Sequence, residues 1–202
     1  MNIPSKYIEE AVEQLSSLPG IGKRTALRLV LNLLNRSEDE INRFSNAFTS
    51  MKFNVKKCTS CGNVSDVETC VICSNTKRNK SQICIVEDIR DILAIEATES
   101  YNGIYHVLGG IISPMDGVGP GDLNINTLIE KLKTENITEI IFALSATMEG
   151  DTTNYYLYKK IAPFSIEVTS LSRGVSVGSE LQYADELTLS RSLLNRQPFQ
   201  TY

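Results

Sequence analysis

The sequence predicts a multidomain α/β protein. It should comprise a helical N-terminal region, a four-cysteine metal module, an α/β domain with a mostly parallel sheet, and a C-terminal helical segment. Three observations lead there. Apolar residues recur at helical spacing through residues 1–53. Two Cys-x-x-Cys pairs fall within residues 58–73. Beyond residue 80, short apolar runs alternate with helix-like stretches, the pattern of βα units whose strands are buried on both faces. A chain of 202 residues with 42% apolar content holds one large domain or two to three small modules. The expected boundaries are 1–53, 54–76, 80–170 and 171–202.

Taken in order, Ile8, Val12 and Leu15 predict an amphipathic helix over about 5–17. Leu18-Pro19-Gly20-Ile21-Gly22 stops it. Ala26, Leu29, Val30, Leu33 and Leu34 then form the stripe of a second helix. Ser37 followed by Glu38-Asp39-Glu40 reads as an N-cap with an acidic first turn. It starts a third helix over 38–52, with Ile41, Phe44, Phe48 and Met51 expected to face inward. After the cysteines, the polar stretch 74–80 reads as a linker. Ile83-Cys84-Ile85-Val86, Tyr105–Leu108, Glu139–Leu144 and Ser165–Ser170 are the expected strands. Ile89–Ala97, Leu123–Thr134, Thr152–Ile161 and Gly178–Arg196 are the expected helical stretches. Residues 109–122 hold five glycines and two prolines, a long loop for a compact domain.

Three constellations bear chemistry. The first is the turn at residues 18–22. Gly20 and Gly22 leave backbone N–H groups uncovered at the start of a helix, where the dipole favours an anion such as a nucleic-acid phosphate. Lys23, Arg24 and Arg28 add salt-dependent attraction. The turn resembles a helix-hairpin-helix motif; the plainer reading is a tight helix–helix turn without a ligand. The second is Cys58-x-x-Cys61 followed by Cys70-x-x-Cys73, two knuckles that form the four-sulfur shell Zn²⁺ prefers. A redox dithiol, a disulfide pair and an iron–sulfur cluster are the alternatives. A closed shell leaves no open position, so one structural zinc per chain is expected and no zinc catalysis. Cys84, in an apolar strand, reads as a small core residue.

The third constellation is acidic. Glu87 follows the first strand, and Glu149-Gly150-Asp151 follows the third. Ligands of parallel sheets gather at the carboxyl ends of strands. Glu87, Glu149 and Asp151 therefore form a docking rim for a basic partner, a weak Mg²⁺ site, or a solvated edge. The arrangement resembles a Toprim domain, although Glu149 stands where the catalytic members usually show Asp. His106 lies within an apolar strand and reads as a core or edge histidine. The glycine-rich loop after it lacks the Lys-Ser/Thr of a phosphate-binding P-loop.

Charge separates along the chain. Residues 1–80 carry 12 Lys and Arg against 8 Asp and Glu, a net +4, whereas 81–202 carry 8 against 16, a net −8. A basic front and an acidic back suit two kinds of partner. No apolar run approaches the ~18 residues of a membrane span, and the N-terminus lacks a secretion signal, so a cytoplasmic protein is expected.

These motifs, in this order, resemble the bacterial recombination-mediator RecR family. The likeness extends through His106-Val107-Leu108-Gly109-Gly110, Glu149-Gly150-Asp151-Thr152 and Arg173-Gly174-Val175 to Tyr183-Ala184-Asp185-Glu186. It implies a helix-hairpin-helix, zinc finger, Toprim and C-terminal oligomerisation segment. It further implies a non-enzymatic DNA repair factor that binds single- and double-stranded DNA and works with RecO and RecF. Such a factor helps RecA replace single-strand-binding protein at gaps. A homo-oligomer, dimer or tetrameric ring, comes with the resemblance. The competing expectation is a small Mg²⁺-dependent Toprim enzyme acting on DNA.

Overall fold

The computed structural model describes residues 3–196 and 198, which form two compact units that divide after Val55. The first unit holds helices α1 (Lys6–Ser16), α2 (Lys23–Leu34) and α3 (Glu38–Asn54). Ser5 caps α1 through its hydroxyl. Ser37 and Glu40 close a reciprocal capping box on α3, as the acidic first turn predicts. The core of this unit is small: Val12, Ala26 and Val30 are buried, with Ile8, Ala11, Leu15, Ile21 and Leu27 packed around them.

Two expectations fail in this unit. Leu29 and Leu34 of the α2 stripe are exposed, because the contact with α1 is narrow and centred on Ala26 and Val30. More markedly, α3 buries no residue. Phe44, Phe48 and Met51 are 39%, 55% and 56% exposed rather than facing inward. Helical periodicity shows that a face is apolar, but not which surface covers it.

The second unit begins with the cysteine module. Strands β1 (Lys56–Lys57) and β2 (Val64–Ser65) pair antiparallel, and the short helix α4 (Val71–Ser74) follows. The α/β part carries four strands: β3 (Asn79–Val86), β4 (Gly103–Val107), β5 (Glu139–Phe142) and β6 (Glu167–Ser170). They form one parallel sheet in the order β4-β3-β5-β6. The helices are α5 (Ile89–Glu96), α6 (Ile125–Thr134), α7 (Met148–Ile161) and, near the C-terminus, α8 (Glu186–Leu194).

The alternation along β3 explains its uninterrupted apolar run. Ile83 and Ile85 join a core with Leu128, Leu132, Leu157 and Ile161 from α6 and α7. Cys84 and Val86 point to the opposite face, where Ile92 and Ile95 of α5 and Ile72 of α4 pack. A strand buried on both faces needs apolar side chains at every position.

Several boundaries differ from expectation. The stretch 74–80 is not a free linker: β3 starts at Asn79, and the Arg78 guanidinium grips Glu96 and donates to the carbonyls of Tyr101 and Gly103. One of three basic residues in a polar run, Arg78 has nothing in the sequence to announce such a partner. The loop 109–122 is anchored rather than loose. Ser113 and Val118 form a bridge, and the Ile112 N–H donates to the buried Thr153 hydroxyl at 2.9 Å. The C-terminal stretch is helical only over α8 and a short 3₁₀ turn at Leu181–Tyr183, and α8 buries no residue. The segment before α8 instead carries Gly174 and Gly178, of which Gly178 takes a positive φ of 85°.

Candidate functional site

The cysteine module brings its four sulfurs together: those of Cys58, Cys61, Cys70 and Cys73 all lie within 4.8 Å of one another. A tetrahedral shell with Zn–S bonds near 2.3 Å places sulfurs about 3.8 Å apart, and Cys61 and Cys70 stand at 3.6 Å. Backbone amides prepare the knuckles. The Cys70 N–H donates to Cys58 Sγ at 3.3 Å, the Gly62 N–H to the Cys58 carbonyl at 2.9 Å, and the Cys58 N–H to the Asn63 carbonyl at 2.7 Å. Cys58, Cys61 and Cys70 are buried and Cys73 is half-buried. Hydrogen bonding from Cys61 holds the Cys73 thiol down to about 5, while the same contact and burial push Cys61 up. Binding a metal displaces the remaining thiol protons. The donor set therefore fits one zinc ion, held in a closed structural shell.

The module is fastened to the sheet. The Val107 N–H at the end of β4 donates to the Cys61 carbonyl at 2.7 Å. Gly62 has φ +78°, and a Cβ there would lie 2.7 Å from Asn124 Nδ2 and 3.0 Å from the Val107 carbonyl oxygen. Only glycine permits that approach. His106, the residue before Val107 on β4, is fully buried, with Nε2 2.6 Å from the Asn124 carbonyl. A carbonyl only accepts, so Nε2 carries the proton and Nδ1 is left without a partner. Burial, aided by the charge of Lys131, pushes the imidazole down to about 4. Cys84 is a core thiol, pushed up to about 12 by burial.

The hairpin between α1 and α2 carries the features a phosphate contact requires. Gly20 adopts φ +80°, and Gly22 is an N-cap without any side-chain hydrogen bond to the helix. A Cβ at either glycine would meet nothing within 4 Å, so the turn is open to solvent. Lys23, Arg24 and Arg28 are exposed, and none of them forms an ion pair among the described residues.

The acidic residues are less alike than their shared position suggests. Glu87 is half-buried at the end of β3, and burial, with Asp91 and Asp88 nearby, raises its carboxyl. Its neighbour Asp88 caps α5, accepting the Arg90 N–H at 2.7 Å. Glu149 is exposed. Glu149-Gly150-Asp151 forms the first turn of α7, which begins four residues earlier than expected. Gly150 is obligatory there, since a Cβ would lie 2.0 Å from the Ser145 carbonyl oxygen. Asp151 is engaged: its carboxylate takes a two-pronged ion pair from Arg173, at 3.0 and 2.5 Å, with Arg191 at 3.6 Å. The arginines hold its carboxyl below the usual range. Among the described residues, the four cysteines are the one set of three or more Cys, His, Asp or Glu whose ligand atoms cluster for a metal. The pairing of Asp151 with Arg173, a residue singled out only as part of the family likeness, and with Arg191 was not legible in the sequence, where nothing marks a charge as the partner of a carboxylate 22 or 40 residues away.

Comparison with known proteins agrees along the chain. Residues 8–52 match the family model described as RecR, helix-hairpin-helix, and residues 55–75 match the RecR zinc finger domain of four cysteines. Residues 81–172 match the Toprim domain and 174–197 match RecR, C-terminal. The recombination protein RecR of Flavobacterium johnsoniae is 57% identical over 200 residues, covering 99% of this chain and 97% of that protein. Those of Flavobacterium psychrophilum and Bacteroides fragilis are 55% and 53% identical, covering 99% and 97% of this chain and 97% and 96% of theirs.

Proposed function

The chain belongs to the RecR family of recombination proteins, and on that footing we propose that it is a DNA repair and recombination mediator without a reaction of its own. It binds single- and double-stranded DNA through the hairpin and acts with RecO and RecF to promote RecA loading at gaps held by single-strand-binding protein. The observation that carries this reading is the open hairpin. An uncapped helix N-terminus with three cations beside it, none in an ion pair among the described residues, suits a backbone phosphate. Gly20 and Gly22 supply the exposed N–H groups; Lys23, Arg24 and Arg28 supply the charge.

Non-enzymatic action is supported by how the carboxylates are used. Asp151 anchors the C-terminal segment through Arg173 and Arg191, and Asp88 caps a helix. We assign Glu87 and Glu149 to a docking rim for a basic surface of RecO; Asp151, expected in the same rim, is taken up by Arg173 and Arg191 and adds no free negative charge to it. A homo-oligomer is supported by the apolar stripe of α3, which has no cover within its own unit. No helix among the described residues is long and apolar enough to cross a membrane, and we place the protein in the cytoplasm.

The test combines two assays on the zinc-loaded protein. With RecO, it is expected to accelerate RecA filament formation on gapped DNA coated with single-strand-binding protein. With labelled DNA and Mg²⁺ alone, no cleavage, relaxation or primer synthesis is expected. A Mg²⁺-dependent product would install the Toprim enzyme reading in its place.

A further inference from the structure

Lys131 sits on the inner side of α6 and is 6% exposed. An ammonium taken out of water requires both hydrogen bonds and a compensating anion. Its hydrogen bonds are plain: Nζ donates to Ser60 Oγ at 3.0 Å and approaches the Ser60 carbonyl at 3.5 Å. Those oxygens are neutral. Among the described residues no carboxylate forms an ion pair with Lys131, and the nearby Glu130 is taken by Lys133.

The anion lies one residue further. Ser60 stands inside the first knuckle, between the ligands Cys58 and Cys61. Ser60, Cys73 and Lys131 line one cavity of about 450 Å³. Four thiolates around Zn²⁺ make a dianion, and partners beyond the ligands themselves tune how tightly such a shell holds its metal. We infer that Lys131 is the counter-charge of the zinc–thiolate centre, acting through Ser60 on Cys73. Zinc loading and the seating of the cysteine module on the α/β domain are then one event. Zn²⁺ displaces four thiol protons to solvent and leaves a centre of net negative charge, and α6 brings a positive charge to set against it. Lys131 is a positioning residue in this scheme; it does not ligate the ion.

The experiment uses the zinc-loaded full chain, titrated with a chromophoric chelator that reports transferred zinc. Lys131→Met keeps the buried stem and removes the charge, and Lys131→Arg keeps the charge. Lys133→Met, on the exposed face of the same helix, is the control. Circular dichroism verifies the fold of each. Lys131→Met is expected to lose zinc affinity roughly ten- to hundredfold, the range seen for groups that support metal ligands. Lys131→Arg should stay within roughly threefold of the parent, and Lys133→Met should match it. Parent-like affinity in Lys131→Met overturns the inference. So does an equal loss in Lys131→Arg, which would make packing rather than charge the cause. Should Lys131→Met not fold, Ser60→Ala decides alone. A loss of roughly fivefold or more supports the relay, and a smaller loss or none overturns it.

Discussion

His106 shows how a single buried side chain makes stability depend on pH. Its native pKa, about 4, lies below the ordinary 6.5. The unfolded chain therefore binds a proton that the folded chain refuses, and stability falls as pH drops from about 6.5 to about 4. Above that window the group contributes nothing to the slope, and below it the loss is complete. Between pH 7 and pH 5 the expected loss is about 2 kcal/mol, since stability changes by about 1.4 kcal/mol per pH unit inside the window. Denaturant unfolding at both pH values, with zinc in excess, should find the loss of stability between them smaller in His106→Asn than in the parent by about this amount. Equal slopes in the two proteins would remove His106 as the source. Asp151 is a second residue whose role is specific. Its pairing with Arg173 and Arg191 ties α7 to the segment leading into α8 and to α8 itself. Asp151→Asn should speed backbone amide exchange in α8 by about fivefold, the size of a ~1 kcal/mol partly exposed pair, while leaving zinc content unchanged. Exchange rates in α8 identical to the parent would show that the segment is held by other contacts.

At the scale of elements, the hairpin illustrates what a short motif specifies. Gly20 was legible as a turn residue because a positive φ is cheap only for glycine, and its φ is +80°. Gly22 was legible as a helix start without a capping side chain. A Lys23→Glu, Arg24→Glu double substitution should weaken binding to all DNA sequences alike and lower the slope of log affinity against log salt by about 2. Fluorescence anisotropy across a salt series measures both, and an unchanged slope counts against the site. The zinc knuckles were legible for a similar reason: ligand spacing is a local property, and Cys58, Cys61, Cys70 and Cys73 do converge. The acidic triplet was legible only in part. Its place after β5 follows from topology, but whether a carboxylate there is free or paired is a long-range matter, decided for Asp151 by an arginine 22 residues on.

For the whole molecule, the uncovered stripe of α3 is the feature with the largest consequence. Phe44 and Phe48 stack edge to face with centroids 5.0 Å apart, yet both are exposed. Ile8, Leu15, Leu33, Leu34 and Ile41 line the neighbouring groove of about 720 Å³, while the buried core of the first unit is three residues. A large exposed apolar patch marks an interaction surface. If copies of the chain cover it, Phe44→Glu with Phe48→Glu should lower the mass read by light scattering or native mass spectrometry to that of a smaller assembly. The secondary structure should be preserved, because neither residue supports the core of its own unit. An unchanged mass would assign the stripe to a different partner.

By itself the sequence determined the longer helices and the four sheet strands in chain order, the four metal ligands and the family likeness. Each of these is written in spacing between near neighbours: 3.6 residues for a helix face, two for a strand, three for a thiolate knuckle. β1, β2 and α4 are too short to show a period. What the tertiary structure alone decided is which surfaces meet. It turned residues 74–80 from a linker into the start of β3, with Arg78 on Glu96. It placed Asp151 under two arginines and left α3 without a cover. It buried Lys131 beside the cysteine module, where a surface lysine would have been the natural expectation. Charge pairing and face-to-face packing join residues tens of positions apart, and local periodicity carries no record of the partner.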